Sequence, residues 1–349
     1  MTSRCKTGFF VLKGIDILHR MEPEYEACHI CPRNCGVNRN NGEKGICGET
    51  AEIRIAWAGL HFGEEPPITG KGGSGTIFIT GCNLRCKFCQ NYQISQCGMG
   101  RSTSIEEFAD ICHALETAGA ENINIVTGSH AVPTIATALR CSKEKGLSIP
   151  ILWNSSAYEI PETLERLDGL VDVWLPDIKT LNPLLSEATF QASDYPKVAK
   201  KAIRHMIDRH PLIITHPDDT AYPEGKIMSG VIVRHLALPG RLPDTELVLQ
   251  WFSEHIADRA LFSLMTQYTP VPKNPQARNL DAFPDRLLKQ DEFNILTEML
   301  EKYEINTGFY QELVEDTEWL PDFSLRQPFS SALAKPVWHW REGFLYPRN

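Results

Sequence analysis

Three cysteines lie on one short stretch, Gly81-Cys82-Asn83-Leu84-Arg85-Cys86-Lys87-Phe88-Cys89-Gln90-Asn91, in a C-x3-C-x2-C array. Thiolates are the usual ligands of iron–sulfur clusters, and a [4Fe–4S] cube held for electron transfer alone normally takes four of them. Three thiolates serve three irons and leave the last iron with an open position for a substrate or cofactor. The array directly follows an apolar run at residues 76–80 that reads as a strand. The C-terminal ends of parallel strands are where α/β folds place their chemistry. The competing reading, buried or zinc-binding cysteines without catalysis, is weakened by that strand, by the aromatic Phe88 and by the βα series that follows.

A second group, Cys28-x2-Cys31-x3-Cys35-x11-Cys47, supplies four thiols with Gly36, Gly45 and Gly48 beside them. Glycine is common there because the backbone must curl for its N–H groups to reach sulfur. Four thiolates close a tetrahedral zinc site or saturate an auxiliary [4Fe–4S] cluster, and spacing does not separate the two. His29 lies between two of these cysteines and is expected to face solvent. Cys5, Cys97, Cys112 and Cys141 have no close partners, and the last two fall on helical patterns as small core residues.

The elements that must hold these groups come next. Apolar residues make up 42% of the 349, enough for a large core and too many for a disordered chain. With 35 Lys and Arg against 44 Asp and Glu, the net charge of −9 argues against bulk phosphate neutralisation and so against nucleic acid as a partner. No apolar run approaches the ~18 residues of a membrane span. The apolar stretch at residues 9–12 is too short for a signal-peptide core, so the expected compartment is the cytoplasm. The odd count of eleven cysteines does not suit a secreted disulfide scaffold.

Composition divides the chain into a cysteine-rich region at 1–73, a βα series at 74–270 and a Pro- and aromatic-rich extension at 271–349, expected to pack on the centre. Strands are predicted at 76–80, 122–127, 149–155, 171–178, 230–238 and 261–268, mostly as continuous apolar runs suited to cover on both faces. Helical signals alternate with them. Ser104-Ile105-Glu106-Glu107 is a capping box. Pro133 and Gly146 bracket a second helix and Pro161 and Gly169 a third. Apolar stripes around 198–207, 247–252 and 291–304 mark three more. The alternation implies a parallel sheet, either a partial or closed β/α barrel or an open doubly wound sheet. Glu65 to Gly73 is a loop-rich stretch; Lys71-Gly72-Gly73-Ser74-Gly75 lacks the order of a phosphate loop and reads as a linker.

The central array, with an aromatic just before its last cysteine, resembles the signature of the radical S-adenosylmethionine superfamily. The resemblance implies a partial β/α (TIM-like) barrel of about six units. It implies Cys82, Cys86 and Cys89 as ligands of a [4Fe–4S] cluster whose open iron is chelated by S-adenosyl-L-methionine, with Phe88 near the adenine. One electron then cleaves the cofactor to a 5′-deoxyadenosyl radical that abstracts hydrogen. Cys89-Gln90-Asn91 and Asp177-Ile178-Lys179 are similar to the pyruvate formate-lyase activating enzyme group. Cys31 to Val37, Val233 to Gly240 and Met265 to Pro270 are similar to its larger relatives with an N-terminal cysteine region.

By the same resemblance Asp177 and Lys179 help hold cofactor and substrate, and two residues apart on a strand they share a face. Thr127-Gly128-Ser129 stands where the family usually has an acidic turn, so backbone and hydroxyl contacts are expected instead. Asn154, at the end of its strand, suits the ribose or carboxylate. His130 and His235 are further candidates for the pocket. The implied partners are a flavodoxin- or ferredoxin-type electron donor and a glycyl-radical enzyme offering a backbone glycine. The alternatives are radical modification of another peptide or a small molecule, and, in a different class, a non-catalytic iron–sulfur or zinc electron carrier or scaffold. The four N-terminal cysteines are expected to hold the second metal or cluster.

Overall fold

The computed structural model describes residues 22–215, 225–271, 281–313 and 320–345. Cys5 and the apolar stretch at 9–12 lie outside the described residues, as do Pro272, Pro275 and Trp319. The chain runs through β1 (Ile53–His61), α1 (Pro66–Thr69), β2 (Ser74–Ile79), α2 (Tyr92–Ser95), β3 (Arg101–Thr103), α3 (Ile105–Thr117) and β4 (Ile123–Val126). Then come α4 (Val132–Glu144), β5 (Ile151–Ser155), α5 (Pro161–Leu164), β6 (Val173–Pro176), α6 (Pro183–Phe190) and α7 (Tyr195–Arg209). It finishes with β7 (Ile213–Ile214), β8 (Ile227–Leu236), α8 (Leu242–His255), β9 (Leu261–Met265), α9 (Gln290–Lys302), β10 (Gly308–Tyr310), β11 (Ala334–His339) and β12 (Gly343–Phe344).

The strands follow the order β10-β9-β8-β6-β5-β4-β2-β1-β11-β12. From β2 to β10 the pairings are parallel, and β1, β11 and β12 continue the sheet antiparallel. The result is an open, partial β/α barrel whose edges are β10 and β12. Its strands are covered on both faces, which is why they read as unbroken apolar runs. Ile77, Ile123, Ile125, Ile151 and Trp153 belong to one cluster with the helices, whereas Leu152, Val173, Leu175, Ile232 and Leu261 form another with Ile68.

The six expected strands are all present with edges shifted by a few residues. In α3, Ser104 Oγ accepts the Glu107 N–H at 3.1 Å, and Phe108, Ile111, Cys112 and Leu115 are buried. Residues 161–169 differ from expectation. They form the single turn α5 and a 3-10 turn, Glu165–Leu167, before Gly169 at φ +69° redirects the chain; so short a run cannot propagate a full helix. The three compositional regions share one sheet, because β1 comes from the first and β10, β11 and β12 from the last. Among the described residues no helix is long and apolar enough to cross a membrane.

The linker reading at 71–75 is cut short, since Ser74 and Gly75 already belong to β2. Glu65, which opens the loop-rich stretch, and Glu64 before it lie against β8, where Arg234 Nε bonds Glu65 Oε1 at 2.9 Å and Nη2 bonds Glu64 Oε2 at 2.5 Å and the other Glu65 oxygen. Asn124 Nδ2 donates to Glu64 at 3.0 Å, and Ile68 of α1 is 1% exposed. Two carboxylates in that setting persist because the guanidinium pairs with them.

Candidate active site

The loop after β2 carries the central cysteines, with Cys82 and Cys86 buried and Cys89 partly so. Gly81 turns the chain at φ +89°, and any Cβ there would overlap the Glu49 side chain. Leu84 N–H points at Cys82 Sγ (3.4 Å), Ser95 Oγ lies 3.3 Å from Cys89 Sγ, and Gln96 Nε2 donates to Cys86 O at 2.8 Å. Arg85 holds φ +56°. Burial pushes the Cys86 thiol well up and Cys89 to about 11, and the neighbouring cysteines raise both further. Such thiols ionise only when a cation is supplied, which is what an iron cluster does. The donor set therefore fits three irons. No three His, Cys, Asp or Glu side chains among the described residues converge on a single-ion position; a cubane instead takes each thiolate on its own iron.

The other candidates sit on the same rim. Thr127, just past β4, has φ +66°, an unfavourable conformation for a β-branched residue, and its N–H donates to Asn154 O at 2.9 Å. Asp177 N–H donates to Ser155 O at 2.8 Å, so the ends of β4, β5 and β6 are laced together. Ala157, after β5, is also left-handed at φ +56°. Three strained non-glycine residues in the loops after β2, β4 and β5 mark this rim as the place where the fold stores strain.

Asp177 and Lys179 do share a face: Lys179 Nζ lies 2.7 Å from Asp177 Oδ2, each side chain about one-fifth exposed (18% and 22%). Asp177 and then the nearby Cys86 raise the lysine against its desolvation and keep it charged. Tyr195 Oη accepts the Lys179 N–H at 2.9 Å and lies 2.8 Å from Asp177 O. Phe88 is buried among Phe283, Phe190 and Tyr268, with ring centroids 5.5, 6.0 and 6.3 Å away.

The two histidine candidates are buried, and neither lines the cavity beside Gln90 and Asn91. His235, 2% exposed, places Nδ1 2.7 Å from Ile178 O and Nε2 3.0 Å from Thr245 Oγ1, a satisfied core histidine that burial lowers to about 4. His130 is equally buried, lowered to about 3, and its carbonyl accepts from Arg39.

Several residues escaped the sequence reading. Glu159 is buried and accepts from Ser129 Oγ (2.7 Å), Trp153 Nε1 (2.8 Å) and Ser155 Oγ (2.6 Å), tying the turn after β4 to β5. No local pattern announces it. Arg234 lay inside the Val233-to-Gly240 motif but its partners Glu64 and Glu65 are remote in sequence. A cavity of about 240 Å³ opens there, lined among others by Glu64, Glu65, Gln90, Asn91, Arg234 and Ser263.

The N-terminal cysteines pack against the outer side of the central loop. Cys28 N–H bonds Val37 O at 2.9 Å and Gly36 N–H bonds Cys28 O at 3.0 Å, folding the group into a knuckle. Ile46 N–H reaches Cys35 Sγ at 3.5 Å, and a Cβ on Gly45 would stand 2.8 Å from that sulfur. His29 is exposed and pairs with Asn34. Arg33 donates to Asn83 O (2.8 Å), Leu84 O (3.2 Å), Phe190 O (2.7 Å) and Gln191 O (2.6 Å), clamping this group to the cysteine loop and α6.

The family model of the Radical SAM superfamily matches residues 76–220, the stretch that begins on β2 and contains the cysteine loop. Over 293 residues the chain is 30% identical to the uncharacterized protein MJ0674 of Methanocaldococcus jannaschii, covering 81% of this chain and 76% of that one. The chain belongs to the radical SAM superfamily. A [4Fe–4S] cluster and S-adenosylmethionine are accordingly the cofactors of this radical SAM enzyme. A second M. jannaschii protein, MJ0808, is 34% identical over 82 residues, 20% of this chain and 24% of that one. Among solved structures, Streptococcus suis SuiB bound to S-adenosylmethionine gives a TM-score of 0.45 at 14% identity over 66% of this chain and 48% of that one. This radical SAM chain thus spans about half the length of SuiB. Methylornithine synthase (PylB) also gives 0.45, at 15% identity over 78% and 77% of the two chains.

Proposed function

We propose that Cys82, Cys86 and Cys89 would hold three irons of the cluster, leaving the last iron to be chelated by the amino and carboxylate groups of S-adenosylmethionine. The observation that carries this reading is the placement of three adjacent thiols on one loop at the C-terminal rim, with the Lys179–Asp177 pair beside Cys86. Bound there, cluster and cofactor supply a 5′-deoxyadenosyl radical that takes hydrogen from the substrate. The chain's own residues hold and shield that pair. Lys179 offers a fixed cation to the cofactor's carboxylate, with Asp177 keeping it oriented. The Thr127 turn and Asn154 line the neighbouring positions on β4 and β5, and the packed ring of Phe88 holds the third cysteine beside the adenine. The electron comes from a flavodoxin- or ferredoxin-type protein.

The finer reading is an activating enzyme whose substrate is a backbone glycine of a glycyl-radical enzyme. The motifs Cys89-Gln90-Asn91 and Asp177-Ile178-Lys179 support it. The small cavity of mixed polar and apolar lining beside Gln90 and Asn91 supports a second reading, a small molecule or a single residue of another peptide. Anaerobically reconstituted protein with dithionite and S-adenosylmethionine is expected to yield 5′-deoxyadenosine, and Cys82→Ala to yield none; cleavage by that variant ends the proposal. Adding pyruvate formate-lyase tests the substrate: a glycyl-radical EPR signal supports activation. Cofactor cleavage without that signal moves the substrate to the second reading.

A further inference from the structure

The N-terminal cysteine group surrounds a buried cation that has no carboxylate. Arg39 is 1% exposed. Its Nε and Nη2 donate to Thr50 O at 3.1 and 2.5 Å and its Nη1 to His130 O at 2.5 Å, while the guanidinium stacks 4.3 Å over the Tyr25 ring. Carbonyls accept its hydrogen bonds and the phenol ring covers one face, which leaves its charge unbalanced. Glu49, a carboxylate whose field reaches it, is already bonded to Arg54 at 3.1 and 3.3 Å. Among the described residues no carboxylate lies within ion-pair reach of Arg39. Beside the Tyr25 ring, what faces it is sulfur: Nη1 lies 3.9 Å from Cys28 Sγ, and Cys47 lies close enough for its charge to act on it.

A buried charge is kept only when something compensates it. Neutral thiols do not. Four thiolates around an oxidised four-iron cluster leave a net charge of about −2, which the opposite charge of a buried guanidinium partly balances. The Gly45 cradle and the Ile46 N–H directed at Cys35 Sγ (3.5 Å) are the backbone features such a centre needs.

We propose that Cys28, Cys31, Cys35 and Cys47 hold a second metal–thiolate centre, with Arg39 as its buried counter-ion. Its occupant is an iron–sulfur cluster with each thiolate on its own iron, because no three of these side chains converge on a single-ion position. The centre braces the catalytic loop, since Cys82 N–H donates to Cys47 O at 3.4 Å and Arg33 grips Asn83 and Leu84. It stands independently of the role proposed for Cys82, Cys86 and Cys89.

The test is elemental analysis of the anaerobically purified full chain, wild type and a variant with Cys82→Ala, Cys86→Ala and Cys89→Ala. The variant is expected to keep iron and sulfide in equal number, and to lose them when Cys28→Ala and Cys47→Ala are added. Zinc without sulfide overturns the cluster. A folded triple variant without metal overturns the proposal. Should that variant fail to fold, iron in the wild type beyond one four-iron cluster supports the second centre, and none beyond it overturns it. For the counter-ion, release to EDTA from Arg39→Met is expected to be about 10–100-fold easier than from wild type, with Arg39→Lys restoring most of the difference. Release from Arg39→Met at the wild-type rate overturns that role.

Discussion

The two cysteine groups lie back to back, joined by the Cys82 N–H to Cys47 O bond and by the Arg33 clamp. Each has one cation at its side, and the cations differ. Lys179, beside the central loop, is about one-fifth exposed and tethered to Asp177, so a ligand can reach it. Arg39, beside the N-terminal group, is sealed among carbonyls, a ring and Cys28. A basic side chain thus serves two purposes. An accessible, carboxylate-held cation suits an incoming cofactor, and an enclosed one suits a permanent negative centre.

Four measurements press on that contrast. The largest effect belongs to the central loop: Cys86→Ala is expected to abolish 5′-deoxyadenosine formation while leaving any N-terminal metal in place. Exchanging the cations comes next. Arg39→Met is expected to lower unfolding stability by about 3–5 kcal/mol in denaturant titrations, because it strands a buried negative centre. Lys179→Met is expected to leave metal content and folding near wild type yet slow cofactor cleavage about 100-fold. If both variants lose metal, the contrast fails.

Arg33→Ala removes four carbonyl contacts between the two regions and is expected to destabilise by about 3 kcal/mol, read as a lower Tm. The last effect vanishes at neutral pH and belongs to a histidine bonded to the Ile178 carbonyl, between Asp177 and Lys179. Burial lowers His235 to about 4, against about 6.5 in the unfolded chain, so the unfolded state binds the extra proton between those values. Stability from this residue is full above pH ~6.5 and falls by roughly 1.4 kcal/mol per unit on acidification toward pH ~4. His235→Gln is expected to flatten that slope in urea titrations at several pH values.

The parallel strands and the cysteine arrays were legible because both are local. An apolar run covered on two faces, a capping box at Ser104 and three thiols within eight residues need no knowledge of the rest of the chain. The Asp177–Lys179 pair was legible for the same reason, since strand alternation alone puts the two on one side. Residues 161–169 misled because proline and glycine mark the ends of a helix without guaranteeing the turns between them. Glu64, Glu65 and Glu159 were invisible, as each acquires meaning from partners that only folding brings near.

The amino-acid order by itself determined the superfamily, the alternation of strand and helix and the identity of the sulfur ligands, since these depend on neighbours a few residues apart. Tertiary structure alone decided that Arg234 pairs with two carboxylates inside the barrel, that Arg33 welds one cysteine group to the other, and that Arg39 is shut in beside Cys28. Those arrangements join positions from 11 to more than 150 residues apart. A charge's worth depends on what surrounds it in space, and spacing along the chain carries no record of that.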